Sequence, residues 1–201
     1  AGTLFGAPVQ SLPKRCGVTS SLVSDLLDFI QQPAFDIAQP AFDDTAFDAL
    51  ALRLFAYQVE HNAPYRRFCQ ERGRMPRMVR RWRDIPPVPI QAFKDATLSC
   101  VAPDHCERVF MTSGTTRCDV RGRHFHPALA VYDDSMQRGF QQFFMPSTER
   151  MPMLVLFPTE DMMPNSSLAH YLALAMRSFG DASSAYGIDE GGLNLERVIL
   201  W

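Results

Sequence analysis

Val109-Phe110-Met111-Thr112-Ser113-Gly114-Thr115-Thr116 runs from an apolar stretch straight into a small, hydroxyl-rich glycine turn. At the end of a strand, such a turn brings backbone N–H groups and several hydroxyls toward one point. Gly114 carries no side chain, so an anion can approach the backbone closely. Phosphate is the usual guest of such a nest. Thr112, Ser113, Gly114, Thr115 and Thr116 are therefore the candidate phosphate-binding residues, and nucleotide chemistry is the implied use.

Outward from this turn, strand and helix patterns alternate. Residues 107–111 and 122–125 read as strands, 128–144 as a helix and 153–157 as a strongly apolar strand. Residues 166–178 read as a helix and 197–201 as a final strand. Strands interleaved with helices predict an α/β layer architecture. Upstream, Ile85-Pro86-Pro87-Val88-Pro89-Ile90 cannot be helical, because prolines remove donors and force extended geometry. It reads as a rigid strap. Before it the pattern is helical. Ser21 to Gln31 places Leu22, Leu26, Leu27 and Ile30 on one face, and Pro33 stops it. Asp43 or Asp44 caps a longer helix through about Asn62, with Phe47, Leu50, Ala51 and Leu54 as its apolar stripe, and Pro64 starts another. The expected organisation is a helical N-terminal region over 1–84, opened by a loosely ordered lead-in, and an α/β part over 85–201. A terminal apolar strand leaves a sheet edge open. Either a second chain completes that sheet, or the chain is the N-terminal part of a larger enzyme.

Composition bounds the partners. The 201 residues are 46% hydrophobic and 21% charged, enough for a substantial core. A formal net charge of -2 gives no global attraction to nucleic acid or to anionic membranes. No apolar run approaches the ~18 residues that span a bilayer. The arginines at 66, 67, 72, 74, 77, 80, 81 and 83 read first as a solvated helix face, with a nucleic-acid or partner surface as the second reading. Five cysteines without tight spacing point to a reduced, cytoplasmic protein. Cys100, His105, Cys106, Cys118, His124 and His126 lack zinc-site spacing, so no metal ligand is assigned. His124 and His126 alternate along a strand and share a face. Ser166 and Ser167 read as a helix N-cap, with Asn165 competing. The Phe and Met residues from Phe140 to Phe157 read as core, and Tyr132, Asp133 and Asp134 as solvated helix positions.

Three features in order resemble the adenylate-forming ligases, and within them the acyl-protein synthetase branch that includes the fatty-acid-activating subunit of bacterial bioluminescence. The proline-rich lead-in continues into Gln91-Ala92-Phe93-Lys94. The Thr112–Thr116 turn follows, with Arg121-Gly122-Arg123-His124 shortly after. Downstream come Leu154-Val155-Leu156-Phe157-Pro158 and Pro164-Asn165-Ser166-Ser167-Leu168. The resemblance covers about Ile85 to Leu168. It implies an incomplete adenylate-forming N-terminal domain that binds ATP and Mg²⁺, activates a carboxylic acid, by family a fatty acid, and passes the acyl group to a protein or carrier thiol. Loops of this kind usually continue Thr-Gly with a lysine close behind. Here Thr116 is followed by Arg117 and Cys118, so Arg117, Arg121 or Arg123 would supply the charge. His124 is the expected contact to nucleotide or substrate. The family's adenine-binding segment, metal-carrying acid and nucleophilic cysteine would lie beyond Trp201, so no catalytic residue is assigned. Two other readings stand: a shortened, non-catalytic adenylation module that binds a partner, and a coenzyme A ligase of the aryl-acetate type.

Overall fold

The computed structural model describes residues 20–32, 44–112, 121–145, 147 and 149–201. The first three helices are α1 (Ser20–Gln31), α2 (Asp44–His61) and α3 (Ala63–Glu71). A single residue, Asn62, separates α2 from α3. Its backbone leaves helical geometry at φ -119, ψ 94, and its buried side chain accepts the N–H of Tyr65 at 3.1 Å. Pro64 follows in the first turn, where its missing N–H costs nothing. At the other end of α3, Gly73 adopts φ 61 and donates to Gln70 O at 3.0 Å, while Arg74 N–H reaches back to Cys69 O at 2.9 Å. That paired Schellman closure ends the helix. The arginine run is therefore not one helix face: only Arg66 and Arg67 lie on α3. Arg72 stacks over Phe68 at 3.6 Å, Arg81 pairs with Asp48 at 3.0 Å, and Arg83 lies 4.5 Å over Trp82.

Phe55 and Val59 of α2 form a core with Tyr65, Cys69 and Val79, and Ile85 and Val88 of the proline strap pack against it. The strap is fastened there as well, because the Tyr65 hydroxyl donates to Pro86 O at 3.3 Å. The stripe expected on α2 is thus only one of its apolar faces. Phe47 lies edge-on to Trp82 with ring centres 5.3 Å apart, and Leu54 lines a cavity toward α1, while the deepest positions are Phe55 and Val59. Partners on two sides of α2 make two faces apolar, which a single-stripe reading does not anticipate.

The remaining elements are α4 (Ala92–Asp95), β1 (Arg108–Met111), β2 (Arg123–His126), α5 (Leu129–Phe144), β3 (Leu154–Val155), α6 (Ser167–Phe179), β4 (Ala185–Tyr186), β5 (Ile188–Asp189), β6 (Gly192–Leu193) and α7 (Leu195–Leu200). The fold is mixed helix and strand, roughly α/β. Among the described residues its sheets are small: β1 with β2 and β5 with β6 are antiparallel pairs, and β3 with β4 is parallel. Ser166 is the N-cap of α6, accepting Ala169 N–H at 3.2 Å, as its hydroxyl suits. Of residues 197–201, expected as a strand, 197–200 instead continue α7 and Trp201 caps it, since the Asn194 side chain accepts Arg197 N–H at 2.9 Å and starts a helix. A short apolar run has no period to separate the two readings; the cap decides. Phe143 and Phe144, expected in the core, are more than half exposed, whereas Phe140 stacks between Phe144 and Phe179. Among the described residues, no helix is long and apolar enough to cross a membrane.

Candidate functional site

The hydroxyl-rich segment, expected from sequence as a turn, joins the antiparallel strands β1 and β2. Their register pairs Phe110 with His124 and Met111 with Arg123. The next pair closes the base of the turn: Thr112 N–H donates to Gly122 O at 2.9 Å, and Gly122 N–H donates to Thr112 Oγ1 at 3.0 Å. Among the described residues, the Thr112 hydroxyl proton has no acceptor. Ser113, Gly114, Thr115, Thr116 and Arg117 lie outside the described residues. Of the other candidates, Arg121 is exposed, and Arg123 is exposed with its guanidinium 5.7 Å from the centre of the Phe125 ring. His124 stacks on Phe93 with ring centres 4.2 Å apart, nearly parallel at 14°. Burial pushes its imidazole below the usual histidine range, so near neutrality it is uncharged.

Gly122 is buried because α4 presses on it. A methyl group there would lie 3.2 Å from the Thr112 methyl, 3.5 Å from Lys94 Cγ and 3.5 Å from Phe93 Cβ. On the other edge of β1, Met111 N–H donates to Asn165 O at 2.8 Å, and Arg108 donates to Pro164 O at 3.1 Å. Three stretches far apart in sequence, Phe93-Lys94, Thr112–Gly122 and Pro164-Asn165, therefore meet around one hairpin.

Beneath β1 sits a group that the sequence reading missed. His170 of α6 is 3% exposed, with Nδ1 2.6 Å from Glu160 Oε1 and Nε2 2.8 Å from Asp133 Oδ1. Both ring nitrogens face carboxylates, an arrangement that an imidazolium satisfies. Arg108 of β1 also donates to Glu160, at 2.6 Å, and Arg177 lies 3.5 Å from its other oxygen. Burial opposes ionisation of Glu160, but the His170 hydrogen bond and the charges of His170, Arg108 and Arg177 outweigh it and hold its carboxyl below the ordinary range. Asp133 and Tyr132, expected to be solvated, belong to this layer: Asp133 holds His170, and the Tyr132 ring lies 5.4 Å from that of Phe110. The available signal was a histidine in the otherwise apolar Leu168-Ala169-His170-Tyr171-Leu172, since a polar side chain on a buried helix face must find partners.

A cavity of about 480 Å³ opens between α1, α2, β2 and α5. Leu26, Ile30, Leu54, Phe125 and Val131 make much of its wall apolar, and Gln58, Asn62, Ser99, His126 and Ser135 add polar groups. Burial lowers the His126 pKa, with His124 and His170 adding to the shift and Asp133 opposing it. Cys100 also lines the cavity, and burial pushes its thiol up to about 11. Such a thiol is a poor nucleophile at neutral pH. Gly122 at the turn and His126 at the cavity are four residues apart on one extended segment, about 13 Å at the usual strand rise. Among the described residues, no group of three or more His, Cys, Asp or Glu side chains is arranged to hold a metal ion.

No curated protein and no solved structure matches the chain. The family described as acyl-protein synthetase, LuxE, matches it over residues 17–192, which takes in the N-terminal helices, the hairpin and the His170 layer. The chain belongs to the LuxE acyl-protein synthetase family.

Proposed function

We propose that the hairpin turn and the neighbouring cavity form part of a site in which a carboxylic acid, a fatty acid by family, is activated with ATP and then transferred to a thiol. The observation that carries this reading is the meeting of Phe93-Lys94, the Thr112–Gly122 stem and Pro164-Asn165 around β1. In an adenylate-forming fold, which this reading brings with it, a carboxylate oxygen attacks the α-phosphorus of ATP. The bond to the bridging oxygen breaks and pyrophosphate leaves. A thiol sulfur then attacks the acyl carbonyl, giving up its proton, and AMP departs. The protein's task in the first step is to hold two anions together and to accept charge on the leaving phosphates. Neutral hydroxyl and N–H donors suit it, and the Thr112 hydroxyl, whose proton has no acceptor among the described residues, is one such donor at the base of the turn. Magnesium bound with ATP would neutralise part of that charge; no residue of this chain is assigned to it. The apolar cavity has the size and lining of a small-molecule site and suits an aliphatic chain.

Acid-dependent exchange of labelled pyrophosphate into ATP, over a panel of fatty and aromatic acids, tests the reading. Exchange is expected with an aliphatic acid and is abolished by Gly114→Val. Exchange that survives Gly114→Val would remove the turn from the site, and no exchange with any acid from folded protein would leave the chain a non-catalytic module.

A further inference from the structure

A bound polyphosphate needs positive charge as well as neutral donors, and the structure narrows where that charge comes from. Arg108 is committed to Glu160 and to Pro164 O. His124 is stacked on Phe93 and half-buried, while Arg121 and Arg123 are exposed side chains not packed at the base of the turn, Arg123 with its guanidinium 5.7 Å from the centre of the Phe125 ring. Lys94 differs from all of these. It leaves α4 beside the base of the turn, where its half-buried stem packs within van der Waals reach of Gly122: its Cγ would lie 3.5 Å from a methyl group there. Among the described residues, no carboxylate pairs with its ammonium. Its Phe93 neighbour fixes the helical turn by stacking on His124, so the backbone that carries Lys94 is anchored to β2.

We propose that Lys94 is the cation that binds the phosphate groups of a polyphosphate ligand at the Thr112–Gly122 stem, with the Thr112 hydroxyl as its neutral companion. This rests on the nucleotide reading given above and deepens it, by naming a binding residue that lies eighteen residues before the turn in sequence. A compact ammonium with three donors suits phosphate oxygens that change partners during a reaction. It carries no fixed fork that would hold the product. It also takes the role of the lysine that is missing behind Thr116.

Calorimetric titration of the whole chain with ATP and with inorganic pyrophosphate, for the unmodified protein, Lys94→Met and Lys94→Arg, tests the assignment. Lys94→Met keeps the aliphatic stem against Gly122 and loses only the charge. It is expected to weaken both ligands roughly tenfold or more, as loss of a charge-assisted hydrogen bond does, with an unchanged thermal midpoint. Lys94→Arg is expected to recover most of the affinity. Binding by Lys94→Met within twofold of the unmodified chain would overturn the inference and leave the nucleotide reading intact. So would an Arg variant no better than the Met variant, since charge would then not be the role. Failure of the unmodified chain to bind either ligand would remove the nucleotide reading itself.

Discussion

Phe55 and Cys69 in the helical core are at most 2% exposed, and His170 beneath β1 is 3% exposed, yet the two places are held by different forces. Around Phe55 the neighbours are apolar, and the stabilisation comes from area removed from water. Around His170 two carboxylates take the ring nitrogens, an arginine from β1 takes one carboxylate again, and aromatic rings fill the rest. The first region asks only for shape and oiliness. The second asks for correct charges on three elements at once, and in return it fixes β1, the strand from which the hydroxyl-rich turn springs.

The comparison breaks most readily at its apolar end. Phe55→Ala should cost about 3–5 kcal/mol in urea unfolding, because it removes transfer energy and leaves a cavity that the neighbours fill only in part. A loss below about 1 kcal/mol would show that this core is loosely packed. His170→Leu comes next, at about 3 kcal/mol, since it strands Asp133 against an apolar group and leaves Glu160 with Arg108 and Arg177 alone. Both carboxylates keep some contact with water, with side chains 20% and 27% exposed, which holds the cost to the lower end of the range for breaking a buried pair. This variant should also weaken pyrophosphate exchange by loosening β1, whereas Phe55→Ala, at equal fraction folded, should leave it unchanged. Equal effects on exchange would erase the distinction between the two regions.

The glycines that end α3 and α6 make a smaller test. Gly180→Ala would put a methyl group 2.6 Å from Met176 O and 2.9 Å from Ser184 Oγ, and is expected to cost about 1–3 kcal/mol through overpacking. Gly73→Ala meets no atom within 4 Å but must hold φ 61, at about 1–2 kcal/mol. Thermal midpoints in the order unmodified, Gly73→Ala, Gly180→Ala would sharpen the assignment, and a reversed order would show that the chain at Gly180 shifts easily.

Dependence on pH separates the regions by sign. Burial lowers the His124 and His126 pKa values, so an unfolded chain takes up protons first as pH falls below the ordinary histidine value near 6.5. Glu160, also held low, adds a loss as pH falls below the carboxylate range. The hairpin and its supporting layer should therefore weaken on the acid side. In the helical core burial raises the Tyr65 and Cys69 pKa values, and the Tyr65 hydroxyl must stay protonated to donate to Pro86 O. Their contribution is complete below the unfolded values and is lost as pH rises past 9 to 10. Hydrogen exchange followed by region, at pH 5 and at pH 10, should show acid opening around β2 and alkaline opening around α3. Acid loss confined to α3 would contradict this.

Much of this architecture is legible in local residues, and the exceptions have a common cause. α1, α2, α5 and α6 carry their own periodicity and punctuation, such as Asp44 in the first turn and Ser166 at a cap, so their bounds follow from the chain. The residues 197–201 carry no such period, and a capping bond three residues earlier makes them helical. The Thr112–Thr116 segment and the family pattern around it are likewise a matter of sequence order. Lys94 and the His170 layer are not. Nothing near Lys94 in sequence says that Gly122 will lie beside it, and nothing near His170 names Glu160 or Asp133 as its partners.

The sequence by itself thus determined α1, α2, α5 and α6, the two strands on either side of the hydroxyl-rich segment, and the family, because these rest on local periodicity, on caps and on the order of motifs along the chain. Only the tertiary structure decided which charges meet. Burial and Coulombic pairing depend on distances between elements, and the contacts that hold β1 and flank its turn join residues 10 to 56 positions apart.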